Sequence, residues 1–94
     1  MPVLSDEDRA HQLAGLAGWE DGGDEIRKRF AFPSFAQAME FVAKVAELAH
    51  RRNHHPDILI QYDKVTLILS THREGGVTEK DIEFARAVDA LISQ

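Results

Sequence analysis

The stretch Ile58-Leu59-Ile60-Gln61-Tyr62-Asp63-Lys64-Val65-Thr66-Leu67-Ile68-Leu69-Ser70-Thr71 decides the fold. Its two halves, Ile58 to Tyr62 and Val65 to Thr71, are rich in β-branched and aromatic residues and have the length of strands. Asp63-Lys64 between them predicts a two-residue hairpin loop. With that loop Tyr62 pairs with Val65, Ile60 with Leu67 and Ile58 with Leu69. Carried to the open end, the same register sets His55 opposite His72. Directly opposed residues share a face, with β-carbons about 4.5–5.5 Å apart. Two imidazoles 17 residues apart in the chain are therefore expected to meet at the strand mouth, provided the register does not slip by one.

Upstream, Pro56 disfavours helical geometry at His55, so the preceding helix should stop near Asn53–His54. Ser34 with Gln37 forms a capping box at its start. Phe35, Ala38, Met39, Val42, Val45, Ala46 and Ala49 give it an apolar stripe, opposite a polar stripe of Gln37, Glu40, Lys44, Glu47 and Arg51. Phe41 and Leu48 fall outside the main stripe and widen the apolar surface toward a second subunit. Before this helix, Ile26, Lys28, Phe30 and Phe32 alternate with Arg27, Arg29 and Ala31, the pattern of a half-buried strand with one polar interruption. That strand is entered through the turn Asp21-Gly22-Gly23-Asp24 from a short extended piece around Trp19 and Glu20.

The opening segment, Ser5 to Ala14, reads as a helix with Ser5 at its N-cap and Asp8 at N3, broken by Gly15 and Gly18. Downstream of the hairpin, Gly75-Gly76 breaks the chain and Thr78-x-x-Asp81 starts a closing helix through Leu91–Ile92. Its inner face would carry Asp81, Phe84, Ala85, Val88 and Leu91 or Ile92. The order α-β-β-α-β-β-α predicts an α+β two-layer sandwich, a four-stranded mainly antiparallel sheet with helices on one face, as a single domain over residues 1–94.

The chain contains no cysteine, which excludes disulfides, thiolate metal sites and thiol nucleophiles. A net charge of −5 argues against phosphate-backbone binding, so nucleic acid is not an expected partner. No apolar run approaches the roughly 18 residues of a membrane span, and no signal-peptide pattern opens the chain. A cytoplasmic protein without membrane contact is expected. A domain of this size buries only about 60% of its unfolded surface, and self-association is an ordinary remedy.

Of five histidines, His54, His55 and His72 lie between Asn53 and His72, and His50 sits one helical turn earlier. An ordinary pKa of about 6.5 lets imidazole give or take protons at neutral pH. A convergent set suits a reaction that needs both an acid and a base. Taken singly, His54 also fits a helix C-cap and His72 a solvated strand position. His50 and His54 have the i, i+4 spacing of a helical zinc pair. The zinc-protease pattern, however, needs Glu where Arg51 stands, and Arg51-Arg52 would repel a cation, so no metal is expected. Asp81 serves as the N3 carboxylate of a capping box and is also placed to orient an imidazole, as a triad aspartate does. His11 is read as surface, Trp19 as core and Tyr62 as structural.

From Leu16-Ala17-Gly18-Trp19 to the closing helix, the chain resembles the pterin-4a-carbinolamine dehydratases, also known as dimerisation cofactors of a homeodomain transcription factor. The resemblance is carried by His50-x3-His54-His55-Pro56, Tyr62, His72 and Asp81, reinforced by Lys64-Val65 and Leu69-Ser70-Thr71-His72. One departure is His50, where the family often has Glu. The resemblance implies a lyase that dehydrates 4a-hydroxytetrahydropterin to quinonoid dihydropterin and water, in support of tetrahydrobiopterin recycling. It implies His54, His55 and His72 as the catalytic set, with His54 and His72 in proton transfer. Asp81 and His50 would support them, and His55, Pro56, Ser70 and Thr71 would bind the substrate. It further implies no metal or redox cofactor, a homodimer or homotetramer, and a functional link to an aromatic amino-acid hydroxylase. Two other readings share the fold: a non-enzymatic protein-assembly or transcriptional cofactor, and a dehydratase of another pterin. Retention of His54, His55, His72 and Asp81 favours the enzyme.

Overall fold

The computed structural model of the chain describes residues 2–92. They form α1 (Asp6–Leu13), β1 (Glu20–Asp21), β2 (Ile26–Ala31), α2 (Phe35–Arg52), β3 (Asp57–Gln61), β4 (Lys64–Leu69) and α3 (Glu79–Ile92). The four strands make one antiparallel sheet in the order β1-β2-β4-β3. The expected α+β order therefore holds, with β4 central between β2 and β3.

Alternation sets the buried face. Val65, Leu67 and Leu69 of β4 are completely buried and stand opposite Phe30, Lys28 and Ile26 of β2. Burying side chains of this size is worth about 1.5–3 kcal/mol each, so this row forms much of the core. Lys28 is tolerated on that face because its cation finds partners at the edge. Its Nζ lies 5.0 Å from the Phe30 ring centroid, and it donates to the Ala17 carbonyl at 2.9 Å and to Asp89 at 3.0 Å. Asp89 also accepts from Trp19 Nε1 at 3.1 Å, which lets the indole be buried with its N–H satisfied.

The hairpin differs from expectation by two residues. Ile60 pairs with Val65, Ile58 with Leu67 and Gln61 with Lys64, so the loop is Tyr62-Asp63. Tyr62 takes a positive φ of 56° in this loop and Asp63 does not. In this register His55 would fall opposite Ser70 and not His72, and β3 begins only at Asp57. A slip of two preserves which side each residue faces, because side chains alternate with period two.

The main helix also turns a different face to the sheet. Ala38, Phe41, Val45, Leu48 and Ala49 are buried, so Phe41 and Leu48 belong to the core. Phe35 is 48% exposed and Ala46 is exposed, while Met39 and Val42 are half-buried. Together they form a second apolar line on the outer shoulder of α2. The Phe35 ring stacks on Tyr62 at the end of that line, with 14° between ring planes. On α3, Ile82 joins Asp81, Phe84, Ala85 and Val88 inside, Leu91 is half-buried and Ile92 is exposed. The caps at Ser5 and Ser34 form as read: the hydroxyls accept from Asp8 N at 3.1 Å and Gln37 N at 3.2 Å. No helix among the described residues is long and apolar enough to cross a membrane.

Candidate active site

Asn53 ends α2. It adopts the left-handed conformation (φ 50°, ψ 44°), and its amide returns to the Ala49 and His50 carbonyls. Asparagine is among the few residues that take this conformation readily, so the stop precedes any influence of Pro56. The reversal at Asn53 separates the next two imidazoles. His54 turns inward, 9% exposed, edge-on to Phe84 at 5.9 Å, whereas His55 is exposed.

On the facing side, β4 leaves the sheet after Leu69. The Ser70 hydroxyl donates to the Asp24 carbonyl at 2.7 Å and ties this exit to the β1–β2 turn. Thr71 then bridges to Gly76 across a tight turn, in which the amides of Glu74 and Gly75 return to the Thr71 carbonyl at 2.9 and 3.0 Å. Gly75 supplies the positive φ of 81° that closes it. His72 is exposed at the start of this turn, which carries it back toward Asn53 and His55.

Beneath both walls lies Asp81, completely buried. Its Oδ1 is 2.6 Å from His54 Nε2. Its Oδ2 accepts from the Thr71 hydroxyl at 2.8 Å and from the Thr78 amide at 2.9 Å. The carboxylate thus caps the amino end of α3 and orients an imidazole at once. An ionised carboxylate can only accept, so the nitrogen facing it must be Nε2–H, and Nδ1 is the nitrogen left for other partners. Among the described residues, no buried side-chain polar atom lacks a hydrogen-bond partner.

The result is a cleft of about 350 Å³, with Asn53, His54 and His55 on one wall and Ser70, Thr71 and His72 on the other. Arg73, Glu74 and Lys80 complete its lining. A recess of about 150 Å³ adjoins it, sharing Ser70 and His72 and adding Asp24, Glu25 and Asp57. The volume suits a small bicyclic ligand, and three imidazoles converge on it. No set of three or more His, Asp or Glu among the described residues is arranged to hold a metal ion.

Of the residues singled out in the sequence, His54, His55, Ser70, Thr71 and His72 are brought together at the cleft, with Asp81 behind them. Pro56 is half-buried beside His55 but does not line the cleft. His50 is exposed on the last turn of α2 and lies outside the lining. Sequence reading missed Lys80, Arg73 and Asn53 as lining residues and Thr78 as a partner of Thr71. Only Thr78 carried a signal, its spacing from Asp81, and that signal pointed to a helix cap alone.

A family model described as pterin 4 alpha carbinolamine dehydratase matches residues 2–91. A protein of Roseiflexus castenholzii whose name assigns it to pterin-4-alpha-carbinolamine dehydratase is 49% identical over 90 residues, covering 96% of this chain and 97% of its own. A like-named protein of Thermomicrobium roseum is 46% identical over 93 residues, covering 99% and 100%. The crystal structure of a transcriptional coactivator/pterin dehydratase from Brucella melitensis is similar with a TM-score of 0.89 at 37% identity, over 95% of this chain and 97% of that one. A pterin dehydratase-like protein identified as a RuBisCO assembly factor in the α-carboxysome is similar with a TM-score of 0.68 at 32% identity, over 79% and 88%.

Proposed function

Because this chain belongs to the pterin-4a-carbinolamine dehydratase family, we propose that it removes water from 4a-hydroxytetrahydropterin, with His54 and His72 moving the protons. The reaction breaks the C4a–O bond and the N5–H bond and forms the N5=C4a double bond of quinonoid dihydropterin. Hydroxide is a poor leaving group, so the oxygen must gain a proton as it departs, and N5 must lose one. The two transfers balance, and the protein ends with the protons it began with. That requirement fits two imidazoles on one cleft, imidazole being the side chain most often used for general acid and base catalysis.

The observation that carries the proposal is the 2.6 Å bond from His54 Nε2 to the buried Asp81 carboxylate, at the wall of the cleft that also holds His55 and His72. With Nε2 committed, His54 exchanges its proton through Nδ1. His72 handles the second proton from the turn opposite, and His55 holds the ring against the cleft wall. Self-association as a homodimer or homotetramer in the cytoplasm belongs to the same proposal, and the outer line of Phe35, Met39, Val42 and Ala46 supports it.

Stopped-flow absorbance tests the function. Freshly generated 4a-hydroxytetrahydropterin should decay faster with the protein than in matched buffer near pH 7. A rate equal to that of buffer would remove this substrate from consideration and leave a dehydratase of another pterin, or an assembly role.

A further inference from the structure

We infer that Thr71 and Thr78 are positioning residues for His54, acting through Asp81 to hold its imidazole in the tautomer with Nε2 protonated and Nδ1 available. The rate readout of this inference rests on the dehydratase reading. The spectroscopic readout rests on the geometry alone.

The hydrogen-bond directions have a single solution. The Lys80 amide can only donate, so Thr78 Oγ1 accepts from it at 3.2 Å. The Asp81 carboxylate can only accept, so the Thr71 hydroxyl donates to Oδ2 at 2.8 Å. Each hydroxyl has one proton. That of Thr71 is therefore committed to Asp81, and the 2.8 Å contact between the two threonine hydroxyls must be Thr78 donating to Thr71. The chain runs Lys80 N–H to Thr78 to Thr71 to Asp81, and the Thr78 amide closes a second path to the same carboxylate oxygen at 2.9 Å. Donors that point the same way strengthen one another in a buried network.

The consequence falls on His54. With Oδ2 occupied by two donors, the carboxylate is held in one rotation, and Oδ1 stays aimed at Nε2. A carboxylate free to turn would leave the imidazole free to exchange tautomers or rotate. Thr71 borders the cleft, where a hydroxyl would ordinarily be read as a ligand contact. Its proton is already taken by the carboxylate, so it cannot donate to a ligand, and the bond it does make leads to Asp81 and from there to His54.

Thr71→Val keeps the shape and removes the hydroxyl, and Thr71→Ser restores it. Loss of an orienting contact of this kind lowers activity by on the order of 10- to 100-fold, and here the loss should fall on kcat, with KM changed by no more than about two-fold. Thr71→Ser should recover most of the rate. In ¹⁵N-resolved NMR, wild-type His54 should show its ring proton on Nε2, protected from solvent exchange, and Thr71→Val should lose that protection while Thr71→Ser keeps it. A rise in KM at unchanged kcat would make Thr71 a substrate contact and overturn the inference. So would a wild-type spectrum with the proton on Nδ1, which decides the matter even if Thr71→Val does not fold or the wild type proves inactive on this substrate.

Discussion

Asp81→Asn exchanges one buried oxygen for an NH2 group, and the surrounding bonds dictate how the amide must sit. Oδ2 faces two donors, the Thr71 hydroxyl and the Thr78 amide, at 2.8 and 2.9 Å. The Asn oxygen must take that place, since an NH2 there would meet two hydrogens. The NH2 then faces His54 Nε2 across the 2.6 Å gap now closed by a carboxylate. His54 can answer only by accepting at Nε2, which moves its proton to Nδ1, the nitrogen that should work on the substrate. An inverted tautomer at an aspartate-oriented histidine lowers turnover by as much as about 10⁴-fold. A loss of about 10³–10⁴ in kcat is expected here, or about 4–5.5 kcal/mol of barrier. Stability should fall less. Charge-assisted bonds become neutral ones, a loss of about 1–3 kcal/mol in all, softened because a buried charge disappears. In a domain of this size that lowers Tm by very roughly 5–20 °C. Single-turnover stopped flow below the variant's Tm, with thermal melts by circular dichroism, separates the two effects. A folded Asp81→Asn protein within about ten-fold of wild-type kcat would refute the orienting role.

Two further outcomes follow from the scaffold. Arg9 holds the Asp21 carboxyl below the usual carboxylate range through a 2.6 Å bond, aided by the Gly23 amide, and the Arg9 guanidinium is raised in turn. A depressed carboxyl gives its full stabilisation above the unfolded-state pKa of about 3.9 and loses it as pH falls through the lower folded value. Asp21→Asn should therefore flatten the acid limb of the Tm-versus-pH curve and leave less difference from wild type below that window than above it. At the end of α2, Asn53→Ala keeps the β-carbon in left-handed geometry but removes the short polar side chain that makes it tolerable, at a cost of about 1 kcal/mol, whereas Asn53→Gly should melt at or above wild type; an alanine variant as stable as the glycine one would contradict the cap assignment.

The element order, the serine caps and the double duty of Asp81 were legible because each rests on local chemistry: a hydroxyl before a helix, a carboxylate three residues in, an alternation of Ile26 with Phe30. The hairpin loop was not, because nothing in the identity of Tyr62 marks a residue with φ of 56°, while Asp63-Lys64 has the look of a turn. The convergence of histidines survived that misplacement, for two reasons. A two-residue shift keeps faces intact, and the turn after Thr71 returns His72 to the cleft without any strand pairing to His55. The face of α2 was ambiguous for a different reason. Phe35, Met39, Val42 and Ala46 are spaced as helically as Ala38, Phe41, Val45 and Leu48, so periodicity alone does not say which line meets the sheet. Contacts such as Thr71 with Thr78 depend on the fold of the 72–75 turn, which no residue pattern specifies at the level of hydroxyl positions.

The central claim is that the imidazoles of His54 and His72 carry the dehydration on this cleft. It is tested most directly by following single-turnover decay of 4a-hydroxytetrahydropterin with wild type, His54→Gln, His72→Gln and the double variant, all confirmed folded. Wild type should outpace buffer. Each single change should remove about 10²–10⁴ of that acceleration, and the double variant should be little slower than the worse single one, because two groups serving one step do not contribute additively. Single variants that retain wild-type rates, in a protein that accelerates the reaction, would place the chemistry elsewhere and contradict the account.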